Sequence, residues 1–161
     1  MPGRGAARHS TPQAAQDRRF AQPVCVMRGF LLDTDIVSFA LRGHPRVAAR
    51  LLAQSPSTIH VSAISLAELR YGAARIDSPG IHKTIDTFMR SVIVLPFDQA
   101  AADRFGTVAC ALARRGSPIG EFDTLIAAHA LAARLTLVTN NTRHFTRVPG
   151  LRLEDWASGT G

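Results

Sequence analysis

Three short apolar runs, at about 29–33, 92–95 and 135–139, and an alternating one at 58–62 recur along this chain, and segments of helical period separate them. Strands held apart by intervening helices cannot close tight hairpins. They pair side by side through crossovers, giving a mainly parallel sheet covered on both faces, an α/β fold. The first run ends on Asp33 and leads into a helix at about 35–42. Pro45 opens a second helical run, Arg46 to Gln54, whose Val47, Leu51 and Leu52 share a face. Thr58 to Ser62 alternates as a strand, and the helix from Ser65 to Arg75 follows. Ser78-Pro79-Gly80 breaks the chain before a helix at about 81–90. Val92 to Leu95, ended by Pro96, is wholly apolar, the pattern of a buried central strand. Asp98 caps an alanine-rich helix that runs to about Arg115 and stops at Gly116, Ser117 and Pro118. A helix at about 121–133, a strand from Leu135 to Thr139 and a short strand near Leu151 to Leu153 complete the pattern.

At 161 residues and 46% hydrophobic content the chain supports one domain with a core, assigned to residues 27–157 with a flexible tail at 158–161. No stretch is apolar for the roughly 18 residues a membrane span requires. Cys25 and Cys110 form no CxxC pair, so neither a zinc set nor a disulfide framework is indicated, and a cytoplasmic setting is expected. Residues 1–26 lack hydrophobic periodicity and read as a disordered leader, or as an extension ahead of a true start at Met27. The net charge of +7 persists beyond that leader: residues 27–161 hold 15 basic and 11 acidic residues, with Lys83 the only lysine. A basic surface favours a polyanion such as nucleic acid, and codon bias toward arginine accounts for the composition equally well.

The polar residues that interrupt apolar segments carry the chemistry. In parallel sheets functional groups gather at the carboxyl ends of strands, where Asp33 and Asn141 both fall. Asp123 opens a segment, Thr124 to Ala133, that is apolar nearly all round. Glu68 shares a helical stripe with Ile64, Tyr71 and Gly72, which turns it inward or to the core margin. Buried carboxylates without basic partners need a cation, and hard oxygen donors select Mg²⁺ or Mn²⁺. Asp33 and Asp123 are then direct ligands, Glu68 a ligand or water-orienting base, and Asn141 a neutral ligand or supporting donor. The reaction implied is phosphodiester hydrolysis. Each residue also has a plainer role open to it. Asp33 can cap a helix, Glu68 can pair with Arg70 or Arg75, Asp123 can favour a helix start, and Asn140-Asn141 can be a turn.

The order of these segments resembles the PIN-domain ribonucleases, specifically the VapC toxins of bacterial toxin–antitoxin pairs, from about Met27 to Trp156. Phe30-Leu31-Leu32-Asp33-Thr34-Asp35-Ile36 is similar to that family's first acidic motif, and Ser62-Ala63-Ile64-Ser65-Leu66-Ala67-Glu68-Leu69 to its second. Pro118-Ile119-Gly120-Glu121-Phe122-Asp123-Thr124-Leu125-Ile126-Ala127-Ala128-His129-Ala130 resembles the third. Leu137-Val138-Thr139-Asn140-Asn141-Thr142-Arg143-His144-Phe145 resembles the ending. The resemblance implies a PIN-like three-layer fold, with Asp33, Glu68 and Asp123 as an acidic triad. It also implies Mg²⁺-dependent cleavage of RNA, a transfer RNA among the candidates, with dimerisation and neutralisation by a VapB-type antitoxin. Two positions depart from the pattern: Asn141 stands where Asp is often found, and Asp35 where Asn or Ser is common.

The remaining polar residues read as structural. His129, on the buried helix, is expected to be a satisfied core histidine. Glu121 points to another helix face than Asp123, and Asp98 and Asp103 take capping and surface roles. Arg70, Arg114, Arg115 and Arg143 can grip phosphates or simply form a solvated face. Two rival functions stand beside the nuclease. Asp33-Thr34-Asp35-Ile36-Val37 fits the first motif of haloacid-dehalogenase-type phosphatases, although no Asp-Asp pair follows and Lys83 lies in a helix ahead of a central strand. The other rival is a non-catalytic domain that binds RNA or a partner.

Overall fold

The computed structural model describes residues 29–159, so the expectations for residues 1–26 lie outside the described residues. Five parallel strands form one sheet in the order β3-β2-β1-β4-β5. They are β1 (Phe30–Leu32), β2 (Ile59–Ser62), β3 (Ile93–Leu95), β4 (Thr136–Val138) and β5 (Leu153–Glu154). Helices α1 (Thr34–Leu41) and α2 (Pro45–Leu52) connect β1 to β2, and α3 (Ala63–Arg75) and α4 (Pro79–Met89) connect β2 to β3. The chain then crosses to the far side of β1 through α5 (Gln99–Arg114) and α6 (Glu121–Ala133) to form β4, and α7 (Thr142–Phe145) precedes β5.

Alternation along the central strands builds the two halves of the core. Successive strand residues face opposite sides of a sheet. Leu31 packs on one face with Val108 and Leu112 of α5, Ile126 of α6 and Phe145 of α7. Leu32 packs on the other with Ile36 of α1, Val47 of α2, Leu69 of α3 and Ile85 of α4. Leu137 and Val138 of β4 divide in the same way. The result is three layers, as expected.

Three expectations need correction. The run at 92–95 forms an edge strand: β3 pairs only with β2, and Ile93 is 40% exposed. A short apolar run shows that a strand touches helices, and Val92 and Leu95 do so from opposite faces, but it does not show whether a second strand lies alongside. Pro96 is at home at such an edge. On α3 the inward stripe is Ser65, Leu69 and Ala73, while Tyr71 and Gly72 are exposed and Glu68 is half-buried. The last strand also begins two residues later than expected, at Leu153.

Centre and edge predict different sensitivities. Leu31→Ala, at a fully buried position of the middle strand, is expected to cost about 2–5 kcal/mol of unfolding free energy. Ile93→Ala is expected to cost under about 1 kcal/mol. Urea denaturation of the two variants measures the contrast, and equal losses would contradict the edge placement.

Candidate functional site

The site lies where the strand order reverses. β1 is flanked by β2 and β4, reached by crossovers on opposite sides, and the carboxyl ends there form a crevice between strands. Leu32 pairs in register with Val138, so the next residues, Asp33 and Thr139, emerge side by side. The Asp33 amide donates to the Val138 carbonyl at 2.9 Å. Thr139 Oγ1 donates to Asp33 Oδ2 at 2.8 Å, and the Thr34 amide donates to Asp33 Oδ1 at 2.7 Å. Asp33 therefore does cap α1, yet its second oxygen is committed to β4.

The other candidates join Asp33 through hydrogen bonds. Thr34 Oγ1 donates to Glu68 Oε2 at 2.6 Å, bringing α3 to the end of β1. The Asn141 amide donates to Thr139 Oγ1 at 3.0 Å. Asn141 Nδ2 lies 2.9 Å from His144 Nδ1, which lies 3.1 Å from Asp123 Oδ2. Asp123 is carried by the first turn of α6, which opens at Gly120 with φ 95°, a backbone state that suits glycine. Glu68 and Asn141 thus join Asp33 through Thr34 and Thr139, and His144 Nδ1 sits between Asn141 and Asp123, able to accept from the first or donate to the second but not both at once.

Sequence reasoning missed those three links. Thr139 directly follows β4, and His144 lies one helical turn after Asn141, but the four residues of α7 are too few for a periodic signal. Asp35, singled out above as a departure from the family pattern, takes a supporting role: its Oδ2 accepts the Asn140 amide at 2.9 Å and so fixes the turn before α7. Asn140 itself turns away, with Nδ2 donating to Asp155 Oδ2 and Ser158 Oγ.

Electrostatics at this edge are unbalanced. Asp33 is only 6% exposed, and its pKa is raised to about 7 by burial, with the charges of Asp35 and Asp123 adding to the effect against the hydrogen bonds from Thr139 and Thr34. Burial also raises Asp35, whose Oδ1 is buried without a hydrogen-bond partner. Among the described residues the arginine ion pairs are Arg50–Glu154 and Arg70–Asp86, so neither arginine neutralises the site and Glu68 does not pair with Arg70. Arg75 stacks on Tyr71, 5.8 Å from the ring centre.

Among the described residues no three acidic, histidine or cysteine side chains converge into a ready-made metal cage. Each acid is engaged instead by a neighbouring donor: Glu68 by Thr34, Asp33 by Thr34 and Thr139, and Asp123 by His144. The donor set still fits a hard dication. It offers carboxylate and amide oxygens, the charges of Asp35 and Asp123 oppose the ionisation of Asp33, and beside the set a buried oxygen of Asp35 has no partner. A dication would supply the positive charge that this cluster lacks.

The structural readings of the other residues hold. His129 is 3% exposed, with Nδ1 2.9 Å from Ser62 Oγ and its ring edge-on to Phe97; burial lowers its pKa. Asp98 caps α5 by accepting the Ala101 amide at 2.9 Å, and Glu121 and Asp103 are exposed. Lys83 is exposed on α4, ahead of an edge strand, and takes no part in the hydrogen bonds around Asp33, which removes the lysine a phosphatase reading needs. Among the described residues no helix is long and apolar enough to cross a membrane.

Comparison with known proteins agrees with this geometry. The PIN domain family matches residues 30–151. The chain is 40% identical over 132 residues to the tRNA(fMet)-specific endonuclease VapC of Shigella flexneri, covering 81% of this chain and all of that protein. It is 37% identical over 131 residues to ribonuclease VapC2 of Haemophilus influenzae, covering 81% of this chain and 99% of the relative. Among solved structures, the DNA-bound VapBC of Salmonella typhimurium superposes with a TM-score of 0.74 at 37% identity, over 81% of this chain and 99% of that one. With an acid site at the switch point of a PIN-like sheet and full-length relatives at this identity, the chain belongs to the PIN-domain family, among its VapC ribonucleases.

Proposed function

We propose that this protein is the toxin of a toxin–antitoxin pair, an endoribonuclease that uses Mg²⁺, or Mn²⁺ in its place, to cut a transfer RNA. Asp33, Glu68, Asp123 and Asn141 are its catalytic set. The observation that carries the reading is the convergence of those four residues at one sheet edge, with Glu68 and Asn141 joined to Asp33 through Thr34 and Thr139 and His144 set between Asn141 and Asp123, around a buried acid whose pKa is raised to about 7. Asp33 and Asp123 would hold the cation, with Glu68 as a further ligand or as the base that orients a water. When bound, the ion supplies a positive charge against the phosphodiester and a more acidic water. Glu68 is aimed by Thr34, and Asn141 offers a neutral amide near Asp123. Thr139 keeps Asp33 turned toward the crevice, and Asp35 keeps the turn that carries Asn141 in place.

The substrate class follows from the net charge of +7 and from the relatives named for tRNA(fMet). A VapB-type antitoxin is the expected protein partner, by analogy with the VapBC complexes this fold resembles, and the toxin is expected to form a homodimer. A groove of about 400 Å³ between α1, α3 and α4, lined by Leu41, Leu69, Ile76, Ile81 and Ile85, opens beside Glu68 and suits an apolar segment of that partner. Induced expression followed by mapping of new RNA 5′ ends tests the reading. A discrete new end in initiator tRNA, absent with Asp33→Ala, is expected; identical end maps for both proteins would refute it.

A further inference from the structure

The open side of the site carries groups that this chemistry leaves unused. Phe122 directly precedes Asp123 in the first turn of α6 and is 55% exposed, outside both core clusters. Arg147, just past α7, donates from Nη1 to the Pro118 carbonyl at 3.4 Å, which sets its guanidinium against the loop entering α6. Arg143 on α7 is exposed, and neither arginine is ion-paired among the described residues. His144 bridges the two elements at Asp123, with its side chain 43% exposed. Glu121 is the other acid on that turn, and it too is exposed.

An unpaired nucleotide presents a flat apolar face and a negative phosphate a few ångströms apart, and proteins that read single-stranded RNA meet it with an aromatic ring and nearby cations. We infer that Phe122 is a stacking platform for one unpaired base beside the scissile phosphate, with Arg147 and Arg143 contacting the flanking phosphates. This proposal rests on the ribonuclease reading above. A protein segment or a second copy could also cover an exposed ring, but the cations on the elements next to it, Arg147 held against the loop that enters α6 and Arg143 exposed on α7, match a polyanion better. Stacking accepts any base, so Phe122 selects for an unpaired nucleotide rather than for a sequence.

The test uses the full chain carrying Asp33→Asn, which binds without cutting, and a short RNA hairpin whose loop bases are replaced one at a time by 2-aminopurine or by an abasic nucleotide. Quenching of 2-aminopurine is expected at one loop position, lost with Phe122→Ala, retained with Phe122→Trp and not restored by Phe122→Leu. Phe122→Ala is expected to weaken hairpin binding about 10-fold. An abasic nucleotide at the quenched position should weaken Phe122 protein equally and leave Phe122→Ala protein unaffected. Equal affinities for the two proteins, or no preference for the hairpin over a duplex, would overturn the proposal. So would a change of oligomeric state, or of antitoxin binding, with RNA affinity intact. Failure of the ribonuclease reading shows separately, as a protein with native Asp33 that cuts no RNA in Mg²⁺ or Mn²⁺.

Discussion

Asp33→Asn is expected to melt roughly 6 °C above the wild-type protein at pH 8 without divalent metal, while losing RNA cleavage altogether. The acid's pKa rises from 3.8 to about 7 on folding, so its ionisation opposes the folded state. Below pH 3.8 the group is protonated whether folded or unfolded and costs nothing. Between 3.8 and about 7 the unfolded chain loses its proton first and stability falls, and above that window the full penalty persists. A shift from 3.8 to about 7 corresponds to about 4 kcal/mol as an upper limit. The amide of Asn cannot accept from both the Thr34 amide and Thr139 Oγ1, which returns part of that gain and leaves a net of about 2 kcal/mol. Thermal melts of both proteins from pH 3.5 to 8.5 measure the effect. The gap should open with rising pH, and a variant less stable at pH 8 would contradict the burial argument. Added Mg²⁺ should stabilise the wild-type protein and leave Asp33→Asn unmoved, because a ligand that binds only the folded state raises its stability.

Phe145→Ala is expected to destabilise the protein by about 3–5 kcal/mol, a large share of the stability of an ordinary domain. Phe145 is fully buried among Leu31, Ile126, Leu137 and Val148, and its removal leaves a cavity under β1 and β4. Its position makes the loss functional as well. α7 spans only Thr142 to Phe145, and one turn of helix does not persist on its own, so its last residue anchors the whole element. Asn141 at its start and His144 within it both touch the acid site. Urea denaturation should show the stability loss, and RNA cleavage should fall in the fraction that remains folded. A cost below about 1 kcal/mol would mean that the surrounding layer collapses onto the vacated space.

Much of this architecture is legible in the residues because short apolar runs and helical periods report layers directly. Phe30 to Asp33 and Leu135 to Thr139 announce strands that end on polar groups, and the segment after Asp123 announces a buried helix. What periodicity does not carry is lateral position, so the apolar run at 92–95 gives no sign that it lies at the sheet edge. Nor does it resolve a stripe whose inward members are small: Ser65 and Ala73 face the core of α3 while Tyr71, apolar by composition, faces out. The acids could be named singly, but their connection could not. Thr34, Thr139 and His144 link them through hydrogen bonds between segments as far apart as Asp33 and Thr139, and side chains of that kind serve as caps and turns in most other settings.

Cleavage of initiator tRNA by the purified protein tests the central claim, that a cation-dependent acid cluster at the β1–β4 crevice cuts RNA. Rapid cutting in Mg²⁺ is expected, falling to background in EDTA and in Asp33→Asn or Asp123→Asn, with both variants still folded by circular dichroism. Undiminished cutting in EDTA, or in either variant, would contradict it.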